Sequence, residues 1–371
     1  MLFRSQLTFE GSNKNNLIDI GIDNPEGVSV LFDPRDADPQ RRYKACFWDR
    51  RLQPSDDPAG VDEQAAKIPV DPPGMTDTQR AGGMWVAFSP DGLRWRTIDP
   101  VLPQGSDTTH TLLFDPVRKK YVGFGRMGFG RTVARTESDD AVNWTPPRLV
   151  LSCDGDDGPA GQIYGMPTDL YEGLYVGMFW MYREGTDAKI DTQLAVSRDG
   201  KRWQRVAGRQ TFLENGPDGA WDDGMSRAGR AINVVGDTIY LHYSMVNGPH
   251  RSAKFPKPER KFPSAIGLVT LRRDGFVSLD AGDAPGTITT HAFELPRGKL
   301  HLNTDAANGQ VTVEMLDGTG KTVRESQPLR GDHPRIAVAW NNDSNTVAES
   351  IAVQLRIKIT NAKLYSYWFE E

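Results

Sequence analysis

The sequence predicts an all-β protein in which a β-propeller over residues 1–285 is followed by a β-sandwich over residues 286–371. Three observations predict this fold class. A seven-residue phrase occurs three times, short alternating apolar runs surround each copy, and helical periodicity is almost absent. With 371 residues, the chain is long enough for two such domains.

The repeated phrase begins with Ser and has Asp two residues later and Trp six residues later. An alternating apolar run that ends in such a phrase is typical of a strand, a tight turn and a second strand. Ser and Asp side chains stabilise a turn of this kind by bonding its backbone amides. The three complete copies are Ser89–Trp95, Ser138–Trp144 and Ser197–Trp203. A fourth, degenerate copy without Trp is Arg272–Gly275.

Another pair of strands is predicted ahead of each phrase. The paired runs are Val28–Phe32 with Tyr43–Trp48, Thr111–Phe114 with Tyr121–Gly125, Ile163–Leu170 with Tyr175–Tyr182, and Ala231–Val235 with Thr238–Tyr243. Each unit therefore holds four strands, which is typical of a propeller blade, and four blades are visible. Residues 1 to 16 can supply only one further strand, Gln6–Phe9.

After Gly286 the spacing of the runs changes, and a compact all-β unit is predicted. An Asp-Gly turn at Asp317 and Gly318 supports a hairpin within it. The predicted strands are Leu300–Asn303, Gln310–Leu316, Arg335–Trp340, Ile351–Ile359 and Leu364–Phe369. A sandwich of about 85 residues accommodates them.

Composition argues against several classes of partner. The net charge is -5 and no basic stripe is present, so neither nucleic acid nor a membrane is expected as a partner. No apolar run approaches the roughly 20 residues of a membrane-spanning helix.

The N-terminus lacks the apolar segment of a secretory signal peptide, so a cytoplasmic location is expected unless an export signal precedes Met1. Cys46 and Cys153 suggest a buried thiol and a loop thiol.

The phrases resemble the Asp-box turns of sialidase-like propellers, shortened by one residue. They more closely resemble the Ser-x-Asp-Gly-x-x-Trp turns of five-bladed propeller proteins related to glycoside hydrolase families 32, 43 and 68. The chain is most similar to a bacterial group described as glycosyl hydrolase family 32 N-terminal-like, and this resemblance implies a carbohydrate-active propeller. The segments that carry it are Gly11–Asn16, Arg42–Lys44, Tyr164–Pro167, Tyr171–Gly177, Trp221–Met225 and Asn361–Ser366.

The resemblance also implies a blade that is not visible in this sequence. Relatives carry one more blade, with an acidic residue at its inner edge, ahead of the phrase that begins here at Gly11. We therefore expect the chain to be a fragment that lacks a first blade. The alternatives are an unusual four-bladed ring, or an oligomer in which the open propeller edge borrows strands from a partner molecule.

Propeller geometry predicts where chemistry lies. First strands begin, and second strands end, at the mouth of the central channel, whereas the Ser-x-Asp turns lie on the opposite face. Cleavage of a glycosidic bond needs two carboxylates, and blade starts supply them at the mouth. The predicted catalytic residues are Asp107, Asp157 and Asp222, and the predicted substrate-binding residues are Asp23, Trp48, Arg126, Tyr164, Arg183 and Trp221.

The resemblance assigns roles to three segments. Asp107 precedes its strand as the transition-state-stabilising Asp does in family 32. Tyr164–Pro167 aligns with the segment that carries the acid Glu of that family, but position 165 is Gly. The segment Asn24–Gly27 loosely resembles the nucleophile segment. The departure at position 165 argues against a fructosidase mechanism.

No cofactor is predicted. The acidic loop near Asp154 has oxygen ligands for Ca²⁺ but lacks EF-hand spacing, and the six His residues show no zinc-binding pattern. The sequence thus predicts a glycoside-hydrolase-like protein that acts on or binds a carbohydrate at the channel mouth. The alternatives are a non-catalytic carbohydrate-binding propeller, a truncated and inactive homologue, and a protein-interaction scaffold.

Overall fold

A computed structural model describes residues 11–12, 18, 20, 25–49, 83–102, 107–250, 264–341 and 352–371. Within these residues the protein is all-β, because every regular element is a strand except three 3₁₀ helices of three residues each. No helix in the described residues is long and apolar enough to cross a membrane. The predicted strand Gln6–Phe9 and the predicted ligand-binding Asp23 lie outside this part of the chain.

Two complete blades come first, each a four-stranded antiparallel sheet whose sequence neighbours pair. Apolar residues of the first two blades form a common hydrophobic cluster, which includes Val86 and Phe88 of the first blade and Leu112 of the second. Alternate residues of a strand point to the same face, so an alternating apolar run can bury one face in such a cluster. The strands are β1 (Glu26–Phe32), β2 (Tyr43–Asp49), β3 (Gly83–Ser89) and β4 (Arg96–Leu102), then β5 (Thr111–Asp115), β6 (Lys120–Gly125), β7 (Val133–Ser138) and β8 (Arg148–Leu151). The strands predicted for these blades are confirmed.

The first strand of the third blade is interrupted, so the prediction of one strand over Ile163–Leu170 is wrong. Two short strands, β9 (Gly161–Gly165) and β10 (Thr168–Tyr171), flank Met166 and Pro167. Proline has no amide hydrogen for the ladder, which accounts for the break. The remaining strands are β11 (Leu174–Arg183), β12 (Ile190–Ser197), β13 (Gln204–Arg205) and β14 (Thr211–Leu213).

A fourth run of strands follows. They are β15 (Met225–Ala228), β16 (Asn233–Val235), β17 (Thr238–Val246) and β18 (Ala265–Arg272). The first strand therefore begins at Met225, earlier than the predicted Ala231, because it pairs with the end of β17.

The chain divides into two compact units, residues 1–231 with 241–267, and residues 232–240 with 268–371. The boundary at residue 286 and the number of blades stay predictions.

The three Ser-x-Asp turns share one set of hydrogen bonds. In the third copy the Asp199 amide donates to Ser197 Oγ at 3.3 Å, and Asp199 Oδ1 accepts from two later amides at 2.8 Å each. Trp203 Nε1 then donates to the carbonyl of Gly200 at 3.2 Å. Gly200 has a φ of 68°, which favours glycine there. Hydrogen bonds from backbone amides hold the pKa of Asp199 well below its usual range.

A second repeated contact joins the second blade to the first and the third blade to the second. Tyr121 Oη donates to Asp33 Oδ2 at 2.6 Å, and Tyr175 Oη donates to Asp115 Oδ2. Each tyrosine is the second residue of the second strand of its blade, and each aspartate lies where the first strand of the preceding blade ends. All four residues are buried. We call these two contacts the Tyr–Asp locks; they were not predicted from the sequence.

The first strands of consecutive blades also approach closely. The His110 amide donates to the Gly27 carbonyl at 3.2 Å, and the Thr168 amide donates to Thr111 Oγ1 at 3.1 Å. Gly27 has a φ of 63°, and a Cβ there would lie 1.9 Å from the carbonyl oxygen of Thr108. Only glycine permits this approach of the first blade to the second.

The second unit contains the C-terminal β-sandwich, whose core includes Leu302, Val313 and Ile357. Its strands are β19 (Leu279–Ala281), β20 (Gly286–Thr289), β21 (Phe293–Glu294), β22 (Lys299–Leu316), β23 (Thr322–Glu325), β24 (Leu329–Ala337), β25 (Ala352–Thr360) and β26 (Ala362–Glu370). The predicted strands 300–303 and 310–316 are one strand, β22. It stays continuous because β26 pairs with its first half and β25 with its second half.

The degenerate fourth turn, Arg272–Gly275, forms its side-chain hydrogen bonds with residues of this second unit. Arg272, which replaces the Ser of the other copies, lies 2.5 Å from Asp332 and donates to Asn303 Oδ1 at 2.8 Å. Asp274 accepts from Ser366 Oγ at 2.5 Å. Contacts with the sandwich strands thus replace the internal bonds of the other turns, so the turn needs neither Ser nor Trp.

Candidate functional site

Asp107 and Arg126 meet because they flank paired strands. Asp107 lies shortly before β5, and Arg126 directly follows β6, which is antiparallel to β5. Nη2 of Arg126 lies 2.5 Å from Oδ1 of Asp107. The Arg126 side chain is 3% exposed, whereas that of Asp107 is 37% exposed. A buried guanidinium therefore fixes the position of a carboxylate that a ligand can reach.

Aromatic side chains lie beside this pair and form what we call the Tyr164 cluster: Tyr164, Trp180, Tyr182 and His250. The Tyr164 ring centre lies 5.9 Å from that of Tyr182 and 6.5 Å from that of Trp180. Tyr164 Oη lies 3.1 Å from His250 Nε2. Cζ of Arg126 is 5.3 Å from the Tyr164 ring centre, which connects the cluster to Asp107. Rings of this kind offer flat apolar faces with polar edges, which suit the faces of a sugar.

Charged side chains of both signs lie around Tyr164. Burial raises the pKa of the Tyr164 phenol, and the charge of Asp107 raises it further. Arg126, Arg131 and Arg227 oppose this rise, and Arg131 itself pairs with Glu184 at 3.2 Å. The cluster thus sets charged and polar groups beside aromatic rings, which suits a polar ligand.

Arg131 extends the cluster and was not predicted as a site residue. Its Cζ lies 5.6 Å from the ring centre of Tyr164 and 5.0 Å from that of Tyr182. Nη1 donates to Gln162 and, at 3.2 Å, to Glu184. Among the described residues, Nε and Nη2 of this side chain have no hydrogen-bond acceptor. The guanidinium is held along one edge and open along the other.

Arg183, a predicted binding residue, pairs with Asp191 of β12, which the sequence analysis did not single out. Arg183 Nη1 lies 2.5 Å from Asp191 Oδ2. Burial raises the pKa of Asp191, although Arg183 opposes the rise. Oδ1 of Asp191 is buried and has no hydrogen-bond partner in the described part of the chain. A carboxyl group in this environment retains its proton to a higher pH than usual.

Asp222 and Trp221 belong to a different group of contacts from Asp107. Tyr243 Oη donates to Asp222 Oδ2 at 3.3 Å, and the ring centres of Trp221 and Tyr243 are 6.4 Å apart. Trp221 is 41% exposed. Asp223 holds the loop by accepting from the amides of Gly219 and Gly248, each at 2.7 Å. The structure thus gives Asp222 an exposed aromatic neighbour of its own.

Asp157 lies in a cluster of ion pairs. Its carboxylate is 2.8 Å from Arg205 and 3.3 Å from Arg209, and its side chain is 3% exposed. It also accepts from the amide of Asp154, and Asp154 in turn pairs with Arg209. In the described residues no group of three or more His, Cys, Asp or Glu side chains is arranged to hold a metal ion.

Trp48, another predicted sugar platform, lies near the end of β2. It is 3% exposed, which leaves little of its ring face open to a ligand. Of the predicted binding residues, the structure brings Arg126 and Tyr164 together beside Asp107, and it places Trp221 beside Asp222.

Gly165 occupies a position with no room for a side chain. A Cβ there would lie 2.9 Å from Thr108 Oγ1, from Thr109 Cγ2 and from the Trp180 ring. Real Cβ atoms essentially never approach other atoms so closely. The position that aligns with the family 32 acid is therefore filled by neighbouring groups and cannot accept a glutamate without rearrangement.

Arg230 connects the fourth run of strands to the first two blades. Its Nη1 donates to the Leu112 carbonyl at 2.6 Å and to Ser29 Oγ at 3.4 Å, residues on the first strands of the second and first blades. In the described residues it has no carboxylate partner and no acceptor for Nε or Nη2. Sequence patterns gave no signal for this residue because its partners are 118 and 201 positions away.

No protein-family model and no curated protein matches the chain. Among solved structures it is similar to an N-acetylgalactosamine deacetylase from F. plautii in complex with blood group B trisaccharide, at 16% identity over 74% of this chain and 94% of that chain, with a TM-score of 0.42. A glycoside hydrolase matches at 14% identity over 62% of each chain, with a TM-score of 0.40.

A family 43 arabinoxylan arabinofuranohydrolase from Bacillus subtilis, in complex with cellotetraose, matches at 11% identity over 93% of this chain and 79% of that one, with a TM-score of 0.36. This chain thus spans less than two thirds of the second of these three structures. These identities and TM-scores are too low to indicate what the chain acts on.

Proposed function

We propose that the protein is glycoside-hydrolase-like, and that it binds a carbohydrate at the channel mouth and cleaves a glycosidic bond there. One observation carries the proposal: Asp107, a half-exposed carboxylate, is fixed by the buried Arg126 directly beside the Tyr164 cluster. A positioned carboxylate beside aromatic faces suits a sugar ring and the positive charge that develops at its anomeric carbon.

Glycoside cleavage needs a second carboxyl group as proton donor. Asp191 is one candidate, because burial raises its pKa and its buried Oδ1 has no hydrogen-bond partner in the described residues. Asp222 is the alternative, since it lies beside the exposed Trp221. In this proposal the third predicted carboxylate, Asp157, supports the loop before β9 through its two arginine partners.

A non-catalytic carbohydrate-binding propeller is the second candidate function, and Gly165 favours it. In the family 32 resemblance that position carries the acid, and here Thr108, Thr109 and Trp180 leave no space for one. If neither Asp191 nor Asp222 donates a proton, the same mouth binds a sugar without cleaving it.

The proposal also includes association through an open blade face. Val28, Val30 and Phe32, alternate residues of β1, are 44%, 46% and 54% exposed. Tyr43 occupies the position of the lock tyrosines, but its hydroxyl has no hydrogen-bond partner among the described residues. Another blade could cover this apolar face and accept that hydrogen bond. Sedimentation velocity tests the idea, and a monomer at all concentrations would reject it.

A panel of oligosaccharides tests the function. Wild-type protein is expected to release reducing sugar from at least one member, and Asp107→Asn to reduce that rate by about 10²-fold or more. Asp91→Asn is the matched control, because Asp91 has a similar exposure of 30% but lies in a Ser-x-Asp turn. Binding without release in every case supports the second function, and neither binding nor release rejects both.

A further inference from the structure

We propose that the carbohydrate is anionic, and that Arg131 and Arg230 each recognise a negative group on it, a uronate carboxylate or a sulfate ester. The inference rests on the proposed function and adds the class of substrate. Two independent observations support it, one at the Tyr164 cluster and one at the first strands of the blades.

The first observation is the open edge of Arg131 at the Tyr164 cluster. Arg126 pairs with Asp107, and Arg131 pairs with Glu184. Arg131 uses only Nη1 for its bonds to Gln162 and Glu184. Its side chain is 30% exposed, so the Nε and Nη2 edge is available to an acceptor from solution. A guanidinium edge binds a carboxylate or sulfate through two parallel hydrogen bonds.

The second observation is Arg230. Its two hydrogen bonds go to neutral acceptors, the Leu112 carbonyl and Ser29 Oγ, and both use Nη1. No carboxylate in the described part of the chain neutralises it. A partly buried cation is costly to keep unless a counter-charge is supplied. An anionic ligand supplies that charge, whereas a neutral sugar does not.

Geometry explains why the two arginines are suited to this task. Arg131 is held between the rings of Tyr164 and Tyr182, and Arg230 is held by two strands. A guanidinium that is already positioned loses little conformational freedom when it binds, so more of its interaction energy appears as affinity.

The test compares trigalacturonate with its fully methyl-esterified form, which has the same sugar skeleton without the charges. Isothermal titration is expected to show binding of the acid at least about tenfold tighter than of the ester. The difference should shrink when salt is raised from about 20 mM to about 500 mM, because exposed charges are screened. A sulfated galactose trisaccharide forms the second arm and decides between carboxylate and sulfate.

Variants identify the residues. Arg131→Gln and Arg230→Gln are each expected to weaken binding of the preferred anionic probe by about tenfold, and to weaken binding of its uncharged counterpart by a clearly smaller factor. Arg230→Lys keeps the charge and should retain most of the preference, which separates recognition from folding. Arg202→Gln is the control, because Arg202 is 93% exposed and, within the described residues, pairs with the turn residue Asp199 alone.

The inference is overturned if neither the acid nor the sulfated trisaccharide binds more tightly than its uncharged counterpart, or if a preference survives both glutamine variants. Binding or cleavage of neutral oligosaccharides alone also overturns it, while the proposed function stands. If no oligosaccharide of any kind binds or is cleaved, the proposed function itself fails.

Discussion

The two ends of the blades in the first unit differ in one respect: contacts at the turn end repeat, and contacts at the mouth do not. At the turn end, Ser89, Ser138 and Ser197 begin the same hydrogen-bonded turn. At the mouth, Asp107 pairs with Arg126, whereas the corresponding end of the third blade pairs Arg183 with Asp191. The repeated end satisfies its own polar groups, and the unrepeated end is where we propose that the ligand binds.

The Tyr–Asp locks strengthen this comparison. Tyr121 and Tyr175 lie directly opposite the turn residues Ser138 and Ser197 on the neighbouring strand, so lock and turn form one repeated unit. Tyr43 has the same register with Ser89. The comparison therefore predicts that changes at the turn end alter stability, and changes at the mouth alter binding and activity.

The largest loss of stability is expected from Gly165→Glu. The new side chain would overlap Thr108, Thr109 and Trp180 and would place a charge among buried groups. We expect a decrease of about 3 kcal/mol or more in the free energy of unfolding, and no gain of hydrolysis. Urea unfolding measures the first and a reducing-sugar assay the second. Gly155→Ala, where no atom lies within 4 Å of the added Cβ, is the control. New activity would show that this position can still carry an acid.

Tyr175→Phe is expected to cost about 1.5–3 kcal/mol, because it removes a buried hydrogen bond to the carboxylate of Asp115. Tyr43→Phe is the matched control, since its hydroxyl has no partner among the described residues, and it should change stability by less than about 0.5 kcal/mol. Denaturant midpoints measure both. Equal losses would mean that the locks contribute nothing specific.

Acid should weaken the locks. Asp115 is buried, which by itself raises its pKa, but hydrogen bonds from Tyr175 and Arg118 reverse this and hold the pKa below the ordinary 3.8. A lowered pKa in the folded state stabilises the protein above about pH 4, and this stabilisation is lost as the pH falls through the folded value. Unfolding measured at pH 7 and at about pH 3 should show a smaller acid loss in Asp115→Asn than in wild type. An unchanged acid loss would exclude Asp115 as its source.

The smallest of these effects is expected at a single turn. Asp199→Ala removes the acceptor for two backbone amides and should cost about 1 kcal/mol. Ligand affinity per folded molecule should not change, because the turn lies at the end of the blade away from the mouth. A loss of affinity without a loss of stability would contradict the division between the two ends.

The sequence predicted the repeated end well because its signals are local. Each Ser-x-Asp phrase carries the side chains that bond its own backbone, so spacing alone predicts strand, turn and strand. The locks had a weaker signal in the sequence. A Tyr lies near the start of β2, β6 and β11, and an Asp lies near the end of β1 and β5. This pattern predicts a contact only when consecutive blades are placed side by side.

The mouth was predicted less completely because its contacts join distant parts of the chain. Asp107, Arg126 and Tyr164 were named from their positions at strand ends, which propeller geometry brings together. Asp191 was missed because its importance depends on burial, and Arg230 because its partners lie on other blades. Pro167 marked the break in the first strand of the third blade, and its lack of an amide hydrogen was the signal available in the sequence.

Hydrogen–deuterium exchange, with and without the oligosaccharide that binds best, tests the division between the two ends most directly. The account predicts that the ligand slows exchange around Asp107, Tyr164 and Arg183. Exchange in the turns 89–95, 138–144 and 197–203 should stay the same. Protection confined to those turns, with none at the mouth, would contradict the account.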